Sequence, residues 1–224
     1  MFLTEKLISL VAPHYCIVCG DEGAVVCEWC MPDFATPLPS RCYACKSQTD
    51  DSLVCKKCRK TSRIKRAWVR TSYEGNPKQL IHDFKFERKT AAALPAARLL
   101  AETLPYLTPD TLITHIPTAP DRVRQRGYDH AKLLAEALAR ELGLKHTILL
   151  IRLTRTRQVG AKRKKRLSQM QNAFRSVNST ELQKATVLLV DDLVTTGATI
   201  ESAAKCLKTA GAKTVNAAVF AQKQ

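Results

Sequence analysis

Eight of the nine cysteines fall in four C-x-x-C knuckles, and that spacing limits what the opening of this chain can become. The pairs are Cys16/Cys19, Cys27/Cys30, Cys42/Cys45 and Cys55/Cys58. A two-residue gap lets both thiolates point at one cation from a tight turn, and two knuckles complete a tetrahedral four-thiolate site. Four knuckles within 43 residues therefore predict two zinc sites. With every ligand position taken by thiolate, none is open for water, so both sites are expected to be structural. Two pairings are open. The favoured one is sequential, 16/19 with 27/30 and 42/45 with 55/58; a crossed one joins 16/19 to 42/45.

Disulfides are the alternative use of these thiols. The stretch MFLTEKLISLVAPHY carries Glu5 inside its apolar run and lacks a small-residue cleavage site, so it does not read as a secretory signal. The expected compartment is the cytoplasm, where thiols stay reduced. An iron–sulfur centre usually shows a different spacing. Leu3, Leu7, Leu10 and Val11 fall at helical spacing and predict a short amphipathic docking helix. No apolar run approaches the roughly 20 residues that cross a bilayer. Between the knuckles stand Pro32, Pro37 and Pro39 with no regular periodicity, so this segment needs metal to offset its chain entropy. The expected division is a zinc module over 1–62 and an α/β domain over 63–224.

The formal net charge is +16, and two runs hold nearly all of it. Residues 56–66 carry seven basic side chains and no acid: Lys56, Lys57, Arg59, Lys60, Arg63, Lys65 and Arg66. Residues 152–166 carry eight, again with no acid. Such clustering raises a local potential that attracts polyphosphates or nucleic acid. Neither run sits on an apolar helical stripe, which argues against a membrane surface. Single-strand binding also uses aromatic faces. Trp29, Tyr43, Trp68, Tyr73 and Tyr128 lie near the zinc module or the arginine-rich segment, although each is more often a packing residue.

From Ala67 onward, strand and helix patterns alternate. Residues 68–73, 111–117, 146–153, 185–192 and 214–221 read as strands. Helical periodicity fills two stretches in 76–105, with Asp129 as the N-cap of a further helix bearing Ala131, Leu134, Ala135 and Leu138 on one face. Another places Ile200, Ala203, Ala204 and Leu207 together, with Gly211 just past its end. This alternation implies a mostly parallel sheet flanked by helices, with active loops beyond the carboxyl ends of the strands.

VLLVDDLVTTGAT, residues 187–199, is the most informative segment. An apolar strand delivers Asp191 and Asp192, and a turn containing Thr195, Thr196, Gly197, Ala198 and Thr199 opens a helix. Carboxylates accept hydrogen bonds from the vicinal hydroxyls of a ribose, while threonine hydroxyls and helix N-terminal amides cradle a phosphate. The pattern thus suits a ribose 5-phosphate. G-x-x-x-x-G-K-[ST] and G-x-G-x-x-G are both absent, which excludes a P-loop hydrolase and argues against a dinucleotide fold.

At these residues the chain resembles the type I phosphoribosyltransferases. Its whole layout is similar to the ComF/GntX group of competence-associated proteins. That likeness is carried by the cysteine-rich opening, by IPTAPDRVRQRGYDHA (116–131), and by the spacing from Gln158 through Arg166 to Phe174 ahead of D-D-x-x-T-T-G-x-T. The resemblance implies that Asp191 and Asp192 hold ribose as the catalytic pair, with residues 195–199 on its 5-phosphate. Arg122, Arg124, Arg126 and Gly127 would take the pyrophosphate. Arg155, Arg157, Gln158, Lys162, Arg163, Lys164, Lys165 and Arg166 occupy the place of the flexible loop and double as a DNA contact. Departures stand at Asp129-His130, where asparagine and glutamine are usual, and at Gln169.

Three functions follow as expectations. The first is a DNA-uptake protein for natural transformation, binding single-stranded DNA and magnesium-bound phosphoribosyl pyrophosphate and working with other uptake proteins. The second is an active phosphoribosyltransferase of unknown acceptor. The third is a regulator that binds phosphoribosyl pyrophosphate without turnover.

Overall fold

The computed structural model describes residues 13–153 and 173–223. The expected docking helix on Leu3, Leu7, Leu10 and Val11 lies outside them. In chain order the elements are β1 (Ala67–Ser72), α1 (Gly75–Phe86), α2 (Ala93–Ala101), β2 (Leu112–His115), α3 (Pro120–Arg126), α4 (His130–Glu141), β3 (Leu150–Arg152), β4 (Phe174–Ser176), α5 (Ser179–Leu182), β5 (Thr186–Val194), α6 (Ala198–Thr209) and β6 (Thr214–Gln222).

Four of the strands form an all-parallel sheet in the order β1-β6-β5-β2. Its central strands are apolar on both faces, as a sheet covered on both sides requires. In β5, Leu188 and Val190 enter one core, and Val187 and Leu189 enter the other. Leu80, Ile81 and Phe84 of α1, Leu99 and Leu100 of α2, and Leu134 and Leu138 of α4 fill the first core. Ile200, Ala203 and Leu207 of α6 fill the second, with Leu150 and Phe174 from a separate β3–β4 antiparallel hairpin.

The cysteine-rich segment straddles the β1 edge. Val25, Val26, Phe34 and Ala35 join the first core, whereas Cys42, Tyr43, Val54 and Ile64 join the second. The crossing runs past β1, where the Leu38 amide donates to the Arg70 carbonyl at 2.9 Å. Covering this edge removes a row of backbone groups that could otherwise pair with another chain.

Three local expectations change. The strand expected over 146–153 reduces to a bridge between His146 and Ile113 and the three-residue β3. The chain leaves the sheet there to pair with β4, and Ile148 and Leu153 are each 41% exposed. The arginine-rich loop is the short helix α3. Pro120 sets its first turn, and Gly127, at φ +89°, ends it. Asp191 and Asp192 lie inside β5, which continues to Val194. Asp129 does cap α4, accepting from the Ala131 and Lys132 amides.

Candidate functional site

Residues from four elements meet at Asp192. Its carboxylate is buried and forms an ion pair with Lys85 of α1. His130, the first residue of α4, places Nε2 3.1 Å from Asp192 Oδ1. Arg126 of α3 places a guanidinium nitrogen 2.8 Å from His130 Nδ1. A guanidinium only donates, so Nδ1 accepts and the imidazole proton sits on Nε2, donated to Asp192. Thr118 completes the corner by donating its hydroxyl to Asp129 Oδ1 at 2.7 Å and its amide to Oδ2 at 2.9 Å.

The two adjacent carboxyl groups are driven apart. Burial pushes Asp192 up, but the Lys85 ammonium and His130 outweigh it and hold the group below the ordinary carboxylate range. Burial and the neighbouring Asp192 charge push Asp191 well above that range. The two shifts run in opposite directions, so Asp192 gives up its proton more readily than Asp191. Asp191 is half-buried and lines a recess of about 30 Å³ together with Thr195, Gly197, Ala198 and Thr199.

That turn is open on its threonine side. Thr195, Thr196, Ala198 and Thr199 are exposed, while Gly197 is buried. Gly197 has φ +75°, and a Cβ built there would lie 2.8 Å from Cε2 of Tyr43. The Tyr43 hydroxyl and Ser62 hydroxyl both donate to Glu201 Oε1 on α6, and the Arg63 amide donates to Oε2 at 3.0 Å. Gln222 Nε2 donates to the Tyr43 carbonyl at 2.7 Å. The segment holding Cys42 is therefore fastened to the helix that opens at the turn.

The cysteines assemble as the favoured sequential sets, Cys16/Cys19/Cys27/Cys30 and Cys42/Cys45/Cys55/Cys58, with the four sulfurs of each set within 4.8 Å of one another. Cys19 and Cys27 sulfurs are 3.7 Å apart, and those of Cys45 and Cys55 are 3.6 Å apart. A tetrahedron with metal–sulfur bonds of about 2.3 Å has edges of about 3.8 Å, so the donor sets fit a zinc ion. Cys206 stands apart, its sulfur 3.6 Å from the Phe174 carbonyl, and burial raises its thiol.

Of the arginines assigned to pyrophosphate, Arg122 and Arg124 are exposed, whereas Arg126 is buried on His130. In the first basic run Lys56, Lys57, Arg59, Lys60, Arg63 and Lys65 are exposed, and Arg66 pairs with Asp51 at 2.8 Å. Arg155, Arg157, Gln158, Lys162, Arg163, Lys164, Lys165, Arg166 and Gln169 lie outside the described residues. Tyr43 and Trp68 are packed in the cores, while Trp29 is 91% exposed. Sequence reasoning missed Lys85, a functional role for His130, and Glu201. The one signal in the sequence was that Lys85 and His130 are polar residues beside the apolar stripes of α1 and α4.

Parts of the chain are similar to known proteins. A model described as the phosphoribosyl transferase domain matches residues 130–224. DNA utilization protein YhgH of Salmonella typhi is 34% identical over 149 residues, covering 61% of this chain and 63% of that protein. Competence protein ComFC of Bacillus subtilis is 27% identical over 217 residues, covering 86% and 88%. Competence protein F of Haemophilus influenzae is 32% identical over 146 residues, covering 61% and 63%. The chain thus spans under two thirds of the length of the Salmonella relative it matches. Among solved structures, glutamine phosphoribosylpyrophosphate amidotransferase from B. subtilis aligns with TM-score 0.46 and 16% identity, over 62% of this chain and 30% of that one.

Proposed function

We propose, from the premise that this chain belongs with the ComF and YhgH proteins and has a type I phosphoribosyltransferase-like fold, that it serves DNA uptake in natural transformation. In this reading it binds single-stranded DNA and phosphoribosyl pyrophosphate, in the cytoplasm and beside other uptake proteins. Among the described residues no helix is long and apolar enough to cross a membrane. The observation that carries the reading is the shared recess of Asp191 and the open Thr195–Thr199 turn at the start of α6.

Each part has a physical role. Amides at the α6 N-terminus and the threonine hydroxyls would hold the 5-phosphate. Asp191 faces that recess and would accept from the ribose hydroxyls, while Asp192 stays clamped by Lys85 and His130. Arg122 and Arg124 would neutralise the diphosphate alongside magnesium, which supplies charge stabilisation when bound. The two thiolate sets would hold structural zinc and keep both halves of the cysteine-rich segment against the sheet. Exposed cations from Lys56 to Lys65 supply the charge that tracks a phosphate backbone.

Fluorescence anisotropy of a labelled single strand against its duplex, across a salt series, tests the reading. Tighter single-strand binding that persists near physiological salt supports it. Weak binding that is equal for both forms and lost with modest salt overturns the DNA role. The intact carboxylate pair and turn also suit catalysis, and pyrophosphate release across a panel of bases would identify an active transferase.

A further inference from the structure

Phe86 ends α1 with its ring 62% exposed, on a helix whose Leu80, Ile81 and Phe84 are buried. The ring is not loose. The guanidinium carbon of Arg126 lies 5.4 Å from its centroid, and the His82 ring flanks it at 5.2 Å, tilted by 45°. Arg126 is itself buried and fixed on His130, which reaches Asp192. Lys85, the preceding residue, pairs with the same carboxylate. Phe86 therefore stands at the outer rim of the carboxylate site, on an anchored cationic support.

We propose that Phe86 is a stacking platform for an unpaired nucleobase at the rim of this site. The inference rests on reading the site as one for ribose 5-phosphate. Cationic residues lie close to it in the chain: Lys85 turned in to Asp192, Lys89 half-buried against Asp83, and exposed Arg88, with exposed Glu87 among them; exposed Arg122 stands one turn before Arg126 on α3. An exposed aromatic face stacks on any base, because every base has a π-face, and the flanking cations suit its phosphates. Bases inside a duplex have no free face to offer. The ligand class is thus an unpaired nucleobase, carried by a single strand or by a free nucleotide.

The test uses the full chain with Phe86→Ala and Phe86→Trp, each checked for an unchanged melting temperature. Ligands are a labelled oligothymidylate, an abasic oligomer of equal phosphate count, and thymidine monophosphate. Removing the ring should weaken oligothymidylate binding by about 5- to 150-fold, the range of one base–aromatic stack, and leave abasic binding unchanged. Phe86→Trp should retain affinity and show emission quenched by bases above the signal of Trp29 and Trp68. Competition by the monophosphate marks a free nucleotide as the source; its absence marks a strand. Equal oligothymidylate affinity in Phe86→Ala, or no quenching in Phe86→Trp, overturns the proposal. Calorimetry with magnesium and phosphoribosyl pyrophosphate, on the natural chain and Asp191→Asn, separates the two readings. Failure of that titration removes the ribose site and leaves the stacking result standing or falling on its own arms.

Discussion

Gly197→Ala tests how tightly the cysteine-rich segment is seated on the Thr195–Thr199 turn. Two separate penalties act. At φ +75° an alanine adopts the left-handed region, which costs about 1 kcal/mol for an L side chain. Its Cβ would also meet Tyr43 Cε2 at 2.8 Å, well inside the roughly 3.5–4.0 Å preferred between carbon atoms. Tyr43 cannot yield freely, because it is 2% exposed and held by Glu201 and Gln222. Overpacking of that kind costs about 1–3 kcal/mol. The sum is about 3 kcal/mol, or on the order of 10 °C in melting temperature for a chain of this size.

Calorimetry on Gly197→Ala, Tyr43→Leu and the double variant separates the parts. In the Tyr43→Leu background the steric component disappears, and Gly197→Ala should cost only about 1 kcal/mol. A single-variant loss below about 0.5 kcal/mol would refute the whole account. An unchanged penalty in the double variant would refute the packing of Tyr43 on Gly197.

Asp192→Asn leaves the Lys85 charge without its buried partner and should destabilise the chain by about 3 kcal/mol, read by urea unfolding at neutral pH. Asp191→Asn should do the opposite: its raised folded pKa means that ionisation costs stability as pH rises, so removing the acid stabilises at neutral pH. Burial lowers His115 to about 4, so its stabilisation is present above the unfolded value near 6.5 and fades as pH falls toward 4. That fade amounts to about 3 kcal/mol, and His115→Gln should flatten the stability–pH curve over the same window. His130→Gln can accept from Arg126 and donate to Asp192, so under the proposed function it should retain phosphoribosyl pyrophosphate binding, whereas His130→Leu should lose it; calorimetric titration of both decides it. Replacing Lys56, Lys57, Arg59 and Lys60 together should reduce the salt slope of single-strand binding by up to about 3, at about 0.7 for each phosphate left without its cation.

The cysteine sets were legible because their chemistry is local. Each ligand pair fixes its own turn, and seven or nine residues separate the pairs that join. The D-D-x-x-T-T-G-x-T turn was legible for the same reason: one strand end and one helix start lie within a single contiguous segment. Lys85 was not legible, because 106 residues separate it from Asp192 and nothing in FKFERK states which strand α1 will face. Tyr43 read more as a packing residue than a stacking one and is packed, but its partner Gly197 was not legible, because that pairing exists only once the chain has crossed the β1 edge. The β3–β4 hairpin escaped because strands of three residues are too short to display a period.

That crossing gives the two thiolate sets unequal relations to the site. The first set lies beside Val25, Val26, Phe34 and Ala35, which share a core with α1 and α2 and so support the face from which Lys85 and Phe86 project. The second set contains Cys42, whose chain neighbour Tyr43 covers Gly197 and whose module binds Glu201 through Tyr43, Ser62 and the Arg63 amide. In the proposed reading, metal at the second set would stabilise the arrangement in which the Thr195–Thr199 turn is formed, and by linkage a ligand on that turn would stabilise metal there by the same factor. Metal at the first set would act instead on the Lys85–Asp192 pair, through the core that Val25, Val26, Phe34 and Ala35 share with α1. Partial chelation should accordingly separate two losses: weakened 5-phosphate recognition tracks the second set, and a loosened Lys85–Asp192 pair tracks the first. A single joint loss would mean that the sheet edge transmits the disturbance between its faces.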